Sequence, residues 1–329
     1  MAVVGNAYPT LVDAAKEKNW DGSIARVIEV LTQFNPLVAD APAIEANSGE
    51  QHWTTVRTGL PTPTWRKLYQ GVFPTKGTTR QVKENTAMAE DWSEVDAKLV
   101  EKQKEPAKYR LNQAKPHIQG MSNEIERKIW YGNTAAEPET FLGLSPRFSS
   151  KTAENGGQII DAGGTGSDNA SIWFVTWGED ATHLIYPEGS QGGLKREDKG
   201  KTTKEVSDGS LYDVYREKFS WDIGLTCQDW RGVSRVANID ISDLAGGSAA
   251  DLSSFMVDAY YALQNPNQPD GKTIIYANKT ILTYLHKQAT TKDNVRLTLE
   301  NYMGKPVVNF LGHPIHRADA LLSTEARVV

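Results

Sequence analysis

Three places in the chain hold residue types that could do chemistry. Gly163-Gly-Thr-Gly166 could cradle a phosphate, because the N–H groups of a glycine-rich turn can converge on an anion. It lacks the Lys-Ser/Thr pair of a P-loop, and its glycine spacing departs from the dinucleotide fingerprint. With no evident strand leading in and no helix following, it reads as a flexible turn. His313 and His316, with Asp319 nearby, are metal-ligand types. Pro314 between them breaks a helical pairing and no third His or Cys lies close, so loop or surface histidines are expected and no metal. Cys227 is the only cysteine. It sits in the strand-like run Gly224-Leu-Thr-Cys-Gln-Asp229 beside Trp230, where a buried structural thiol is expected rather than a reactive thiolate. No Gly-x-Ser-x-Gly elbow occurs, and no acid and base stand at recognisable spacing. The residues point to no enzyme and no cofactor.

Composition narrows the alternatives. The 329 residues are 39% hydrophobic, low against the roughly half that is common, yet sufficient for a core in a chain of this length. Nine Trp, twelve Tyr and eight Phe argue against disorder. The shortfall in apolar residues is expected in one extended part of the chain that does not cover itself. Net charge is −5, from 36 basic and 41 acidic residues. A sequence-specific nucleic-acid binder usually carries a basic excess or stripe, and none is evident. The runs Lys98 to Lys108 and Leu194 to Lys204 mix both signs and read as solvated surface. A lone cysteine suits a reducing cytoplasm. No signal peptide and no membrane-length apolar run is evident, so a soluble chain without membrane contact is expected.

The elements that would position these groups follow from periodicity. Met1 to Ala46 reads as mostly helical, with Ile24, Val27, Ile28 and Leu31 at helical spacing and Pro36 and Pro42 ending it. It is either an arm lying on other subunits or a helix on its own domain. Ala107 to Gly132 gives the clearest helix: Leu111, Ala114, Ile118, Met121, Ile125 and Ile129 form one apolar stripe. At about 1.5 Å per residue it spans about 35 Å. Pro116 should bend it, and Gly132 is placed to end it. Ile172 to Trp177 and His183 to Tyr186 flank a Gly178-Glu-Asp180 turn and predict a hairpin. Tyr212 to Val236 supplies further strands. The last hundred residues are α/β in texture. Ser248 caps a helix lined by Leu252, Phe255, Met256, Ala259 and Leu263. Thr273 to Tyr276 is a short strand, Asn278 starts a second helix with Ile281, Leu282, Leu285 and Ala289 inward, and Val307 to Leu311 is a strand.

Gln51 to Thr86 differs from all of this. It is rich in Thr, Gly, Pro and Lys, with strand-like pieces at Trp53 to Thr58 and Gly77 to Val82. Turn residues Gly59, Pro61 and Pro63 lie between them. A long β-hairpin with few inward apolar residues is predicted. A two-stranded ribbon is marginal alone, so Trp53, Trp65, Tyr69 and Phe73 favour a partner surface, where aromatics act as anchors. The alternative folds the ribbon back over its own core.

Four stretches, in order, carry a resemblance to a known family. They are Thr54-Thr-Val-Arg-Thr-Gly-Leu-Pro-Thr-Pro-Thr-Trp65; Ile125-Glu-Arg-Lys-Ile-Trp-Tyr-Gly-Asn133 with Phe141-Leu-Gly-Leu144; Gly209-Ser-Leu-Tyr-Asp-Val-Tyr-Arg-Glu217; and Gly312-His-Pro-Ile-His-Arg-Ala-Asp-Ala320. The chain resembles the major capsid proteins of short-tailed and related double-stranded DNA bacteriophages over nearly its whole length. The resemblance implies an α+β Hong Kong 97 capsid fold in four parts: an N-terminal arm at 1–46, an extended β-hairpin loop at 47–90, a peripheral domain at 91–245 with its spine helix at 107–132, and an axial-type α/β domain at 246–329. It implies a virion shell protein, assembled in the host cytoplasm, that forms hexamers and pentamers of an icosahedral shell around double-stranded DNA held without sequence-specific binding. Expected partners are further copies of itself, a portal protein and scaffolding and decoration or cement proteins. Contacts between subunits are expected at Trp53, Arg57, Trp65, Lys67, Tyr69, Phe73 and Lys76. Some family members crosslink a loop lysine to a neighbour's asparagine; Lys67 and Lys76 lie in that region, and no crosslink is expected of them. Two other readings stay open: an encapsulin-type compartment shell of the same fold, and an α/β enzyme using the C-terminal lobe.

Overall fold

The computed structural model describes residue 9 and residues 35–49, 51–245, 251–266, 271–289, 297–302 and 305–329. In chain order its helices and strands are α1 (Leu37–Asp40), β1 (Ala43–Glu45), β2 (Gln51–Gly59), β3 (Thr78–Asp96), α2 (Ala97–Glu101), α3 (Pro106–Tyr131), α4 (Leu144–Arg147), β4 (Ile159–Asp161), β5 (Asn169–Trp177), β6 (Thr182–Tyr186), β7 (Lys195–Glu205), β8 (Leu211–Cys227), β9 (Val233–Asp240), α5 (Ile241–Ala245), α6 (Leu252–Ala262), β10 (Lys272–Ala277), α7 (Lys279–Ala289), β11 (Leu297–Tyr302), β12 (Lys305–Phe310) and β13 (His313–Arg317). The apolar positions predicted at 24–31 lie outside the described residues.

Compactness divides the chain into two units that are discontinuous in sequence. One takes Asn35–Ala87, Arg127–Gly192 and Ile223–Val329; the other takes Met88–Glu126 and Gly193–Asp222 among its segments. Residues 127–192 and 223–245 therefore cluster with 246–329, whereas the sequence boundaries place them with 91–126. Strand pairing is the reason, because it ignores chain order.

In the larger unit, β5 is the spine of the sheet. Antiparallel β10 and β9 flank it, β13 runs parallel to β10, and β4 runs parallel to β9. All nine residues of β5 are buried, which is the pattern of a strand covered on both faces. Ile172 and Phe174 join a core with Leu252, Met256 and Ala259 of α6 and Ile281 and Leu285 of α7. On the opposite side Trp173 meets Trp130 and Phe148, with ring centroids 5.7 and 5.9 Å apart. Helix α6 is capped by Asp251, whose carboxylate accepts from the N–H of Ser253 and Ser254, so the cap sits three residues beyond the predicted Ser248, which lies outside the described residues. Asn278 caps α7 as predicted, accepting from Ile281 N–H at 2.9 Å.

The predicted hairpin at 172–186 is not one. β5 and β6 share a single bridge, Trp177 with Thr182. β6 pairs instead with β1 and with the end of β8, since the turn between them redirects the chain away from β5. A short strand, β4, does lead into Gly163-Gly-Thr-Gly166, contrary to the sequence expectation. Gly163 takes a left-handed φ of +88°, its N–H bonds Asp161, and the segment passes into β5.

The smaller unit holds most of α3, which begins and ends within a residue of its predicted bounds and runs unbroken across Pro116. Gly132 closes the helix: its N–H reaches Lys128 O at 2.8 Å, and a Cβ there would lie 2.6 Å from the same oxygen. Leu111, predicted on the buried stripe, is exposed. Tyr109, two residues earlier, is buried instead, packed with Val95, Leu99 and Val100. The run Lys98 to Lys108 is thus only partly solvated surface. The run Leu194 to Lys204 is the strand β7, paired along its length with β8. Glu217 is buried there and accepts from Arg110 and Arg196 at 2.8 and 2.6 Å. Glu94 similarly gathers Lys204 and Arg216. Charge pairing here does what apolar burial does in the larger unit.

Candidate assembly surface

The ribbon is built from β2 and the first part of β3, paired from Gln51↔Asn85 to Gly59↔Thr78. Its strands extend past the predicted pieces, most of all in β3, because alternation around Ala87 to Ala89 is too weak to mark a strand. Val82 packs inward only partly, and most of the other paired positions hold polar side chains, so the pairing rests on main-chain bonds more than on apolar cover. Gly59 ends the pairing at a bulge, and a Cβ on it would meet Thr78 Oγ1 at 2.6 Å.

Residues 60–77 form the tip, and every one of them is exposed. A single turn organises it. Gln70 N–H bonds Lys67 O at 3.2 Å, and Arg66 Nε reaches back to Gln70 O at 3.1 Å. Tyr69 adopts a left-handed φ of 64°, uncommon for a non-glycine residue. Trp65 is 99% exposed, Tyr69 100% and Phe73 91%, with Leu68 at 86%. Large exposed apolar groups clustered in this way are uncommon on the surface of a soluble monomer. Arg57, Lys67 and Lys76 are exposed with them. Trp53 stands apart from the tip. It is partly covered, with Lys83 Nζ 4.1 Å from its ring centroid, and both its main-chain groups are taken by Asn47 at 2.8 Å.

The root of the ribbon is fixed by a buried ion pair. Arg147 grips both oxygens of Glu84 at 2.5 and 2.7 Å and also donates to the carbonyls of Leu142 and Leu225. Burial works against the guanidinium's charge, but Glu84 outweighs it and holds Arg147 above its ordinary range. His52 of β2 meets His183 of β6 edge to face, centroids 5.9 Å apart. Burial pushes both imidazoles down, His183 to about 4. Neither partner of the Glu84–Arg147 clamp was visible in the sequence, because 63 positions separate them.

The other candidates take structural places. Cys227 ends β8, receives the Thr182 hydroxyl at 3.7 Å, and its thiol is raised by burial. His313 faces Thr273 O at 3.3 Å, and His316 contacts Asp40 at 2.6 Å. Asp319 is engaged by Arg317. These three do not converge, and among the described residues no group of three or more metal-ligand side chains is placed to hold an ion. No helix among the described residues is long and apolar enough to cross a membrane.

A model of the family described as major capsid protein GP7 matches residues 19–329. The chain belongs to that family. It is a major capsid protein, a structural subunit of a phage virion shell that assembles with copies of itself. The capsid protein is similar to a chain of the solved bacteriophage Epsilon15 structure, with 40% identity over 100% of this chain and 99% of that one, at a TM-score of 0.80. It is also similar in fold to the bacteriophage JBD30 capsid, with a TM-score of 0.51 over 97% of this chain and 99% of that one, at 8% identity. No curated protein matches. The fold is therefore of the Hong Kong 97 type, and the exposed ribbon belongs to a protein whose work is contact.

Proposed function

We propose that this capsid protein forms the hexamers and pentamers of an icosahedral shell enclosing double-stranded DNA, and that the ribbon tip lies on a neighbouring copy. The tip carries the reading: three aromatics stand almost fully in water on a segment with no core of its own. On a lone subunit they cost solvation, and against a neighbour they become anchors. Trp65, Tyr69 and Phe73 are the apolar anchors in this reading, with Arg57, Lys67 and Lys76 at the polar rim and Trp53 at the ribbon's root. Individual contacts of this size are modest, and closed symmetry multiplies them. A portal at one vertex, with scaffolding and cement proteins, would complete the assembly in the host cytoplasm. The net negative charge suits a wall that contains DNA without gripping it. In this reading the chain itself carries out no catalysis. The peripheral part corresponds to α3 with its strands, and the axial part to 246–329.

Replacing residues 60–77 by an Asn-Gly turn, which closes a two-residue hairpin without strain, tests the tip. The expected product is a folded, soluble subunit that builds no stable shells in electron micrographs. Normal particles from it would refute the assignment. Denaturing electrophoresis of mature particles should give a single band near 36.3 kDa, and a ladder would instead assign Lys67 or Lys76 to a covalent link.

A further inference from the structure

Residues 318–329 cross the larger unit without forming a strand of their own. They meet the sheet at a single bridge, Glu325 with Asn169, where the Glu325 N–H reaches Asn169 O at 2.9 Å. Main-chain bonds tie down the two ends, Ala318 N–H to Ala277 O and Lys151 N–H to Val329 O, both at 3.0 Å. The other polar grips are side chains. Asn238 clasps Val328, its Oδ1 accepting from the Val328 N–H at 2.8 Å and its Nδ2 donating to the Val328 carbonyl at 2.9 Å. Asn238 itself holds a left-handed φ of 58°, which asparagine tolerates and most residues do not. The Tyr131 hydroxyl accepts from the Leu322 N–H at 2.9 Å and donates to Glu325 Oε1 at 2.5 Å. Asn278 Nδ2 donates to Ser323 Oγ at 3.1 Å.

Glu325 is where these grips meet. Its side chain is 4% exposed and that of Arg235 is 3%. Oε2 accepts from Arg235 Nη2 at 2.8 Å and from the Ser171 hydroxyl. Arg235 also lies over the Trp173 ring, 4.8 Å from its centroid, and donates to Phe148 O at 2.7 Å. Arg235 belongs to β9, so a carboxylate on the crossing segment neutralises a cation of the sheet, and a buried charge needs such a partner. No strand ladder depends on the segment, however. β5 keeps β9 on one side and β10 on the other through its own pairing. A piece fastened by side chains across an intact sheet can open without global unfolding, and its opening lets water reach the Arg235 charge.

We propose that residues 318–329 are a strap that opens and closes as one piece over the finished sheet, with Glu325 as its fastening. Closed, it buries Leu321 and Val328 and neutralises Arg235. Open, it leaves every strand pairing standing. The subunit therefore has a partly open state that it reaches before the sheet comes apart. The device is built into the lone subunit, so it goes beyond the shell reading and does not rest on it.

Amide hydrogen exchange with single-residue fragmentation, on unassembled subunits of the full chain, tests it. The N–H groups of Leu322, Glu325 and Val328 bond to three different elements, α3, β5 and β9. If the strap opens as one piece, the three should nevertheless share one protection factor, at least tenfold below that of the β5 amides. Protection equal to that of β5, or three unrelated values, would overturn the proposal. As a second arm, Glu325→Gln keeps an acceptor for Ser171 and removes the charge that Arg235 needs. It should speed exchange at all three positions at least tenfold and leave the β5 amides within twofold of the unaltered chain. Acceleration of β5 in step with the strap, or at position 325 alone, would contradict a strap. So would a Glu325→Gln chain that no longer folds, because the ladders do not depend on the segment.

Discussion

Arg147 carries its charge where water barely reaches, and Glu84 is what makes that tolerable. Their side chains are only 14% and 6% exposed. Removing one member of a buried pair leaves the other without compensation, at a cost of about 3–5 kcal/mol. Glu84→Ala should therefore lower subunit stability by about that amount in denaturant unfolding, with Glu84→Gln less severe because it still accepts a hydrogen bond. His183 makes a separate prediction. Burial lowers its folded-state pKa from the ordinary 6.5 to about 4, so between those values the unfolded chain binds the proton and the folded chain does not. Its contribution to stability is complete above pH 6.5 and is lost as pH falls toward 4. Unfolding midpoints followed across that window should fall with acidification, and His183→Gln should flatten part of the slope. Neither residue stood out in the sequence. A burial and a partner 63 positions distant are facts about the folded chain alone.

Elements were legible to the degree that their cause was local. The helix α3 announced itself because a 3.6-residue apolar period needs only its own turn to be read; of its predicted stripe Leu111 alone is exposed, while Glu126, expected on an outward face, is buried. Its Pro116 sits in the interior without ending it, at the expense of one backbone bond. Pro116→Ala should consequently raise subunit stability by about 1–3 kcal/mol, measured by chemical unfolding. The ribbon was legible from its Thr, Gly and Pro and from aromatics with nothing beside them to bury against. The strand β7 was not, because Lys, Arg, Glu and Asp in succession carry no apolar alternation. Its strand character comes from β8, through Arg196 with Glu217 and Lys201 with Asp213. The true partners of β6 were hidden for the same reason: pairing with β1 and β8 is decided by the sheet and not by the nearest turn.

At the scale of the whole molecule, the sequence conveyed the family and the kind of work, and the structure shows how the subunit divides its surface. Its compact part spends aromatic residues inward, in the cluster of Trp130, Phe148 and Trp173. Its ribbon spends them outward, at Trp65, Tyr69 and Phe73. The account's central claim is that those outward rings are kept for a neighbouring copy. Electron microscopy of a Trp65→Ala, Tyr69→Ala, Phe73→Ala variant, beside the unaltered chain, tests this most directly. The three sites touch no core, so the variant's melting temperature should match the unaltered subunit within a degree or two. The account predicts that it stays as free subunits or open fragments under conditions where the unaltered chain closes into shells. Closed shells of normal size and yield from the variant would contradict it.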